Sequence, residues 1–521
     1  MNISKQISTA QKYIETKQYK LAHHCIIELL QFDKFHADGY FLLAIIASEH
    51  NNFKKAIVLI EQAIVLAPER AEYIAHLAKH FVLTNDYVKA KQQCEKAELQ
   101  TKLSALELDT IGVVYSKMGL HHCAINNFEK AVALAPNNAN FHFNLAVSLK
   151  FTGNFDAAKL AFEKTIDIAP TYYKAYSSLA SLGDLDTKYQ DTILNLQTNT
   201  LQPDDALYIG HAQARIHEKQ KNYQQAYQAL SQSKKAKLAQ LNYSVEDDNK
   251  IFTRLKSAFN ESQQVSPIGN ESDEPIFVVG LPRSGTTLVE RILSNHGDVT
   301  SAGELQSFGL LVKELSATQS PYVIDPDTID AACKIDFKTL AQRYIASTRV
   351  ITGATARFVD KMPLNFLYVG FIVSAFPNAK IVCLDRNPLD SIVSNFRQLF
   401  SVNFSYYNYA YDLETTAEYY FLFQDLIAFW REKFPQNFYV VNYQSLVNSP
   451  VEEAKKLVNF CQLSWHDSLV DIQNNSSPVA TASAVQVRSP INNQSVGNWQ
   501  KYDFCLENVK SRLQAAGVSL K

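Results

Sequence analysis

Residues 275–287 read Pro-Ile-Phe-Val-Val-Gly-Leu-Pro-Arg-Ser-Gly-Thr-Thr, and this stretch sets the architecture of the second half of the chain. An apolar, β-branched run ends at Gly280, and a helical pattern begins at Thr286. The pattern predicts a strand, a glycine loop and a helix N-terminus, whose backbone N–H groups can bind phosphate. Gly280 and Gly285 have P-loop spacing, but Thr286 stands where that motif has lysine. We therefore expect an oxyanion site in which Arg283 supplies the positive charge.

Strand-like and helical segments alternate after this loop. Strands are predicted at 276–280, 380–385 and 438–442. Helices are predicted from 286, at 338–348, 364–375, 388–399 and 412–433, and after Pro450. This alternation predicts a mostly parallel sheet that binds ligands at the carboxyl ends of its strands. The sequence thus predicts an α/β domain of the P-loop type over residues 275–521.

The first half of the chain repeats with a period of 34 residues. Small residues follow this period at Ala10, Ala44, Ala78, Gly112, Ala146, Ala180 and Ala214, and again at Ala22, Ala56, Ala90, Ala124 and Ala158. Aromatic residues follow it at Tyr19, Phe53, Tyr87, Phe155, Tyr189 and Tyr223, with His121 in the one gap, and prolines at Pro68, Pro136 and Pro170. The pattern resembles the tetratricopeptide repeat, a helical hairpin with small residues where its helices cross.

The repeats define the domain organisation. Seven are predicted over residues 3–240, the sixth being the most degenerate, and residues 241–274 are predicted to be a helix and a polar linker. The fold class is therefore an all-α tetratricopeptide-repeat superhelix followed by the α/β domain. Such stacks present a groove that binds an extended peptide or another protein. We expect the repeats to bind a partner and the second domain to carry the chemistry.

Composition narrows the class of protein. The 521 residues are 46% hydrophobic and 20% charged, as in ordinary globular proteins, and a net charge of −2 gives no sign of a nucleic-acid partner. The seven cysteines are odd in number and form no C-x-x-C pair, which favours a reducing compartment over disulfides or zinc. No stretch approaches the roughly 18 apolar residues of a membrane span. We expect a cytoplasmic protein without a metal site or a transmembrane segment.

A second anion site is predicted beside the first. Arg386 follows the strand at 380–385, and Ser394 lies in the second turn of the next helix. A bidentate guanidinium together with a hydroxyl suits a phosphate monoester. Two anion sites on neighbouring strands suit a nucleotide that carries phosphate groups on both its 5′ and its 3′ side.

These two motifs resemble those of the sulfotransferase superfamily, which uses 3′-phosphoadenosine 5′-phosphosulfate (PAPS) as donor. The 5′-phosphosulfate loop of that family is matched by Pro282, Arg283, Ser284, Gly285, Thr286 and Thr287, and its 3′-phosphate motif by Arg386 and Ser394. Within the superfamily, Gly303-Glu304 and residues 376–380 are most similar to tyrosylprotein sulfotransferases. With its repeats, the chain resembles the bacterial tetratricopeptide-repeat sulfotransferases.

The resemblance implies roles for further residues. Glu304 matches the general base of the tyrosylprotein enzymes, and Lys361 lies where the superfamily places a catalytic lysine or histidine. Tyr443 matches a tyrosine near the donor nucleotide, and Lys501 is the best candidate for a phosphate ligand in the C-terminal segment. Ser483 and Arg488 belong to that segment, which the family folds over the donor.

The resemblance also implies a mechanism without a metal ion. Arg283 and Lys361 would neutralise the charge that develops on the departing product, 3′-phosphoadenosine 5′-phosphate, and Glu304 would take the proton of an acceptor hydroxyl.

Alternatives for the function stay open at this point. The acceptor is a protein tyrosine or a sugar hydroxyl on a glycan or lipid, and the aromatic run at 400–411 either lines its pocket or packs internally. A catalytically weak scaffold protein is a further reading. A P-loop kinase would need a lysine in place of Thr286.

Overall fold

A computed structural model describes residues 2–100, 102–261, 269–402, 404–475, 477–481 and 483–518. The chain divides into two compact units, of which the first comprises Met1–Leu149 with Ser347–Ile351 and the second Lys150–Ala346 with Thr352–Lys521. The second unit therefore contains the last repeats as well as the sheet. Residues 262–268 of the predicted linker lie outside the described residues.

The described residues up to Leu238 form seven helical hairpins, and a further helix follows them. The helices are α1 Ile3–Glu15, α2 Tyr19–Phe32, α3 Ala37–Glu49, α4 Phe53–Leu66, α5 Ala71–Leu83, α6 Tyr87–Glu98, α7 Ala105–Lys117, α8 His121–Leu134, α9 Ala139–Thr152, α10 Phe155–Ile168, α11 Tyr173–Ala180, α12 Thr187–Asn195, α13 Pro203–Lys219, α14 Tyr223–Leu238 and α15 Val245–Glu261. The sixth pair, α11 and α12, is the shortest, as its degenerate sequence predicts.

The 34-residue period has a physical cause in the hairpin. The small residues of both series are buried where helices cross, and a Cβ on Gly112 would come within 2.5 Å of the Phe128 ring. The turns use a left-handed residue at the same spacing, at Lys17, Asn51, Asn85, Gly119, Gly153 and Lys221. Two residues later, an aromatic or histidine begins the second helix of most hairpins. The predicted repeat superhelix is confirmed.

A sheet of five parallel strands forms the centre of the α/β domain. The strands are β1 Pro275–Gly280, β2 Val299–Ser301, β3 Arg357–Asp360, β4 Lys380–Asp385 and β5 Phe438–Asn442, in the order β2-β3-β1-β4-β5. Strands β2 and β3 lie on one side of β1. The chain then crosses to the other side of β1, where β4 and β5 lie. Such a switch in strand order opens a crevice at the carboxyl ends of the strands. Here β1, β3 and β4 are neighbours, so the segments that follow them meet at one edge.

Helices complete this domain. They are α16 Thr286–Ser294, α17 Ser307–Ser316, α18 Pro326–Ala332, α19 Phe337–Thr352, α20 Val369–Ala375, α21 Pro388–Phe396, α22 Leu413–Lys433, α23 Tyr443–Asn448, α24 Pro450–Phe460 and α25 Glu507–Ala515. One prediction needs correction: residues 364–375 are not one α-helix, since Pro363–Tyr368 form a 3₁₀ helix before α20. The Asn365 amide donates to the Asp360 carboxylate, which fixes this tighter turn against β3.

Two kinds of feature, a membrane-spanning helix and a metal-binding cluster, are absent from the described residues. None of the helices there combines the length and apolarity that a membrane span needs. In the same residues, no three His, Cys, Asp or Glu side chains are grouped so that they could hold a metal ion.

Candidate active site

The loop between β1 and α16 has a conformation that its sequence makes possible. Arg283 and Gly285 both have positive φ, 65° and 108°. A Cβ on Gly285 would lie 2.4 Å from Cδ2 of Tyr443, so only glycine fits there. The loop is held from β4's side as well, because the Asn395 amide of α21 donates to the Pro282 carbonyl at 2.8 Å.

Several buried donors in this region have no protein acceptor. Ser284 is 2% exposed, and its Oγ has no hydrogen-bond partner among the described residues; the same is true of the buried Arg386 Nε. The first backbone N–H groups of α16, at Thr286 and Thr287, have no acceptor within their own helix. Buried donors without acceptors carry a free-energy cost. This set of donors fits an oxyanion such as phosphate or sulfate.

Arg386 lies directly against the loop. Its Nη1 donates to the Arg283 carbonyl at 2.8 Å, its Nη2 donates to the Ser495 carbonyl, and its guanidinium lies 4.7 Å from the centre of the Tyr443 ring. Ser394 is half-buried two turns into α21. The structure thus brings Arg283, Arg386 and Tyr443 together at the β1–β4 edge.

The Arg283 guanidinium donates its side-chain hydrogen bonds to uncharged residues. Its Nη1 donates to Ser483 Oγ at 2.5 Å and its Nη2 to Gln486 Oε1 at 3.0 Å. Burial lowers the Arg283 pKa to about 10, and the neighbouring charges of Arg215, Arg386 and Arg397 act in the same direction. Arg283 therefore stays protonated at neutral pH, and no carboxylate of the described residues forms an ion pair with it.

Glu304 and Lys361 form an ion pair at the end of β3. Lys361 Nζ lies 2.5 Å from Glu304 Oε1 and 3.8 Å from Glu290 Oε2, and the Lys361 side chain is completely buried. The backbones fix this geometry, because Lys361 N donates to the Gly303 carbonyl at 2.9 Å. The two residues that the resemblance singles out are thus brought together, 57 positions apart in sequence.

Asp360 supports this pair from within the core. Its carboxylate accepts hydrogen bonds from Tyr344 Oη at 2.7 Å, from the Asn365 amide and from the Leu305 N–H. Desolvation raises the Asp360 pKa to about 7, although these hydrogen bonds and Lys361 oppose the shift. Asp360 thus holds the backbone next to Glu304.

The C-terminal segment covers the loop. Thr481 Oγ1 lies 3.4 Å from Thr287 Oγ1, and the backbone N–H groups of Gly497 and Trp499 donate to Asp390 of α21. Lys501 is exposed, and its Nζ donates to Asn498 Oδ1. Among the residues that the structure describes, Lys501 therefore makes no contact with the two arginines of the motifs.

The aromatic run contributes to both packing and the site. Tyr409 is buried, stacks on Tyr419 with ring centroids 3.8 Å apart and donates to Asn395. Tyr407 instead stacks on half-buried Phe400 at 4.4 Å. Burial raises the Tyr407 pKa, and so does the charge of nearby Glu304. The Phe400–Tyr407 pair therefore lies on the Glu304 side of the site.

Sequence reasoning missed two groups of residues. Glu290 is buried on α16 beside Arg291, and no pattern in that helix distinguishes it from a surface residue. Glu218 of α13 binds Arg397 Nε at 2.6 Å and also accepts a hydrogen bond from Tyr502 Oη. No local pattern links a repeat helix with residues that follow it by 179 and 284 positions.

Comparisons with known proteins agree with this architecture. Residues 275–467 match the model of the sulfotransferase family, and residues 108–138 and 127–159 match models of the tetratricopeptide repeat. The chain carries tetratricopeptide repeats and a sulfotransferase-family domain.

Its relatives include the following two proteins. A protein of Aquifex aeolicus (strain VF5), named only as uncharacterized, is 34% identical over 306 residues, which cover 58% of this chain and 40% of that protein. A protein of Caenorhabditis briggsae, named as a putative protein-tyrosine sulfotransferase, is 25% identical over 244 residues, or 44% of this chain and 81% of that protein. The alignment thus spans less than half of the Aquifex aeolicus relative.

Solved structures of repeat proteins are also similar. YrrB, a TPR protein with an unusual peptide-binding site, has 19% identity and a TM-score of 0.28, over 37% of this chain and 97% of that one. A thermophilic TPR protein of Thermus thermophilus has 16% identity and a TM-score of 0.31, over 34% of this chain and 98% of that one.

Proposed function

We propose that the chain is a sulfotransferase that transfers the sulfuryl group of PAPS to an acceptor hydroxyl. One juxtaposition carries the proposal. The unpartnered donors around Ser284 and Arg386 lie at the β1–β4 edge, and the Glu304–Lys361 pair lies at the end of neighbouring β3. An oxyanion site beside a carboxylate with solvent access is what the transfer of an anionic group to a hydroxyl requires.

The donor would be held by both motifs. The 5′-phosphosulfate would be bound by Arg283, Ser284, Gly285, Thr286 and Thr287, and the 3′-phosphate by Arg386 and Ser394. Tyr443 lies against Gly285 and under the Arg386 guanidinium, so it would support both motifs. Lys501 would join them only after leaving Asn498, because its ammonium is bound there.

The chemistry assigns a separate task to each charged group. The bound donor supplies the sulfuryl group. Glu304 accepts the proton of the acceptor hydroxyl, since its carboxylate is the partly exposed member of the pair. Arg283 stabilises negative charge at the loop, and buried Lys361 orients Glu304 and adds positive charge beside it. In this proposal no metal ion is needed, because Arg283 and Lys361 supply the positive charge.

We infer that the acceptor is a phenolic hydroxyl of a protein tyrosine. The stacked Phe400–Tyr407 pair lies on the Glu304 side, and flat aromatic groups pack well on such a pair. The name of the Caenorhabditis briggsae relative supports the same class. A sugar hydroxyl on a glycan or lipid is the second candidate, because sugars also bind against aromatic rings.

The remaining proposals concern the surroundings of the enzyme. The repeat hairpins would bind a protein or peptide, as their class of fold does. We further propose a cytoplasmic location, in line with seven cysteines that are all free. A catalytically weak scaffold is the alternative function. Such a scaffold would not consume PAPS, whichever acceptor is offered.

Calorimetric titration of the full chain tests the donor. We expect 3′-phosphoadenosine 5′-phosphate to bind and ATP with magnesium to bind far more weakly, because Thr286 replaces the P-loop lysine. Conversion of PAPS in the presence of a tyrosine peptide then tests the reaction. Tight binding of ATP with magnesium and none of the bisphosphate would reject the proposal.

A further inference from the structure

A repeat helix reaches the loop through a chain of contacts within the second unit. Glu218 near the end of α13 binds Arg397 Nε at 2.6 Å, and Arg397 caps the C-terminal end of α21. The Asn395 amide of α21 donates to the carbonyl of Pro282, the residue before Arg283. Arg215 lies one helical turn before Glu218, so the two side chains share a face of α13. Arg215 therefore lies on the face of α13 that meets α21, the helix whose Asn395 holds the oxyanion loop.

Arg215 is open to a ligand. Its side chain is exposed and borders a cleft of about 240 Å³, whose other lining residues, such as Ala180, Gln190 and Ile216, belong to the sixth and seventh repeats. Among the described residues it has no hydrogen-bond or ion-pair partner. The nearby Glu218 carboxylate is already engaged, by Arg397 and by Tyr502 Oη at 2.5 Å.

Positive charge is in excess around the loop. The charges of three further guanidinium groups, those of Arg215, Arg386 and Arg397, act on Arg283. Among the described residues, the carboxylates that face them are Glu218, and Asp390 at 3.7 Å from Arg386. Asp390 is in addition bound by the backbone N–H groups of Gly497 and Trp499. Counting four cations against two anions leaves two positive charges, which a multiply charged oxyanion would balance.

Repulsion by neighbouring cations contributes to the lowered pKa values of Arg283, Arg215 and Lys150, whereas the ion pair with Glu218 raises the pKa of Arg397. The pKa of Arg283 is lowered to about 10, first by burial and then by Arg215, ahead of Arg386 and Arg397. Desolvation lowers the Arg215 pKa foremost; the charge of Glu218 opposes this shift, and that of Arg397 adds to it. Burial and then Arg215 lower the pKa of Lys150 to about 8. An anion bound among them would relieve this repulsion.

We propose that Arg215, a residue of the repeats, binds a phosphate or sulfate group of the ligand that Arg283 binds. The sulfotransferase site is then composite, with one cation supplied by α13. This modifies the expectation that the repeats only recruit a partner. Naming the ligand as the donor nucleotide rests on the proposed function, whereas the anion site itself rests on the geometry and charges of the four arginines.

The test compares full-length variants by titration with 3′-phosphoadenosine 5′-phosphate. Arg215→Gln should raise Kd roughly tenfold to hundredfold, as expected for a lost charge-assisted contact. Arg215→Lys should lose less, because it keeps the charge but not the planar fork. Lys235→Gln is the matched control, since it removes one exposed charge from α14, and its Kd should equal that of the wild type.

The outcomes separate this inference from the proposed function. If the wild type binds the bisphosphate and Arg215→Gln changes neither its Kd nor the acceptor KM, the inference is wrong and the function stands. An unchanged Kd with a raised acceptor KM would overturn the donor assignment, because Arg215 would then bind an anionic group of the acceptor. If the wild type does not bind the bisphosphate, inorganic pyrophosphate is the probe. A rise in unfolding temperature in the wild type but not in Arg215→Gln would then support the anion site and reject the nucleotide.

Discussion

Lys361 Nζ lies 2.5 Å from Glu304 Oε1 while the Lys361 side chain is completely buried. A second carboxylate, that of Glu290, is 3.8 Å away and accepts a hydrogen bond from Ser301 Oγ. One buried ammonium thus lies between two carboxylates. Removing it would leave two carboxylates facing each other. Lys361 therefore stabilises their arrangement in addition to contributing a positive charge.

The two carboxylates differ in solvent exposure, and this difference gives the first prediction. The Glu304 side chain is 36% exposed and that of Glu290 only 9%, so Glu304 alone can meet an acceptor. Glu304→Gln should lower kcat by roughly 10²–10⁴-fold, the usual contribution of a general base. Its Kd for 3′-phosphoadenosine 5′-phosphate should stay unchanged. Steady-state kinetics with a tyrosine peptide and calorimetric titration measure the two effects.

Glu290→Gln is the control for this prediction, since it removes a carboxylate from the same lysine. We expect it to lower kcat less than Glu304→Gln does. The assignment of the base would be wrong if the Glu304 variant turned over at the wild-type rate, or if the two variants were equally slow.

The second prediction concerns the backbone of the loop. Gly285→Ala would place a Cβ 2.4 Å from the Tyr443 ring at a φ of 108°, which L-residues rarely adopt. The loop must then move, so we expect donor binding to weaken roughly fivefold to more than a hundredfold, for a backbone strain of about 1–3 kcal/mol. Gly297→Ala is the matched control, because its Cβ would meet nothing within 4 Å. Equal binding by both variants would show that the observed loop conformation is not the one that binds.

Much of this fold follows from the sequence because its signals are local. The strand, loop and helix of 275–294 and the 34-residue repeat depend on neighbouring residues, and both are confirmed. Strands β2 and β3 were missed, since three or four residues are too few to show a pattern. The pairing of Glu304 with Lys361 depends on two such short strands lying side by side, which no local pattern encodes.

The third prediction tests the second motif. Arg386 is buried with its guanidinium 4.7 Å from the centre of the Tyr443 ring, and its Nε lacks an acceptor among the described residues. Arg386→Gln should remove most of the preference for 3′-phosphoadenosine 5′-phosphate over 5′-AMP. A charge-assisted contact of about 1.5–3 kcal/mol corresponds to roughly a tenfold to hundredfold preference.

Arg431→Gln controls for the loss of one positive charge, because Arg431 is exposed on α22. Titration of each variant with both nucleotides gives the ratio of Kd values. If the wild type prefers the bisphosphate and Arg386→Gln keeps the same ratio of Kd values, the 3′-phosphate binds elsewhere.

The arginine cluster marks the limit of what the sequence could reveal about the site. Arg283 and Arg386 stand in recognisable motifs, whereas Arg215 stands in a repeat whose pattern explains its neighbour Ala214 and says nothing of Arg215 itself. Its helix meets α21 through the Glu218–Arg397 ion pair, which joins residues 179 positions apart. Only tertiary packing brings such charges together.

The fourth prediction is a pH dependence of stability caused by Asp360. Burial raises its pKa in the folded protein to about 7, against about 3.9 in an unfolded chain. Between these values the folded state retains a proton that the unfolded state has released. The stability that Asp360 contributes is therefore complete below about pH 4 and is lost as the pH rises to about 7. At pH 8 the wild type carries a buried carboxylate, which Asp360→Asn does not.

Thermal unfolding of both proteins at pH 5, 6, 7 and 8 measures this effect. We expect Tm of the wild type minus Tm of Asp360→Asn to decrease steadily from pH 5 to pH 8. The sign is fixed even if the asparagine destabilises at every pH by presenting an N–H group to the Leu305 N–H, because that cost does not titrate. Asp471→Asn, which changes an exposed side chain, should give a difference independent of pH. A constant difference for Asp360→Asn as well would mean that Asp360 keeps one charge state throughout, and that Tyr344, Asn365 and Lys361 together outweigh its desolvation.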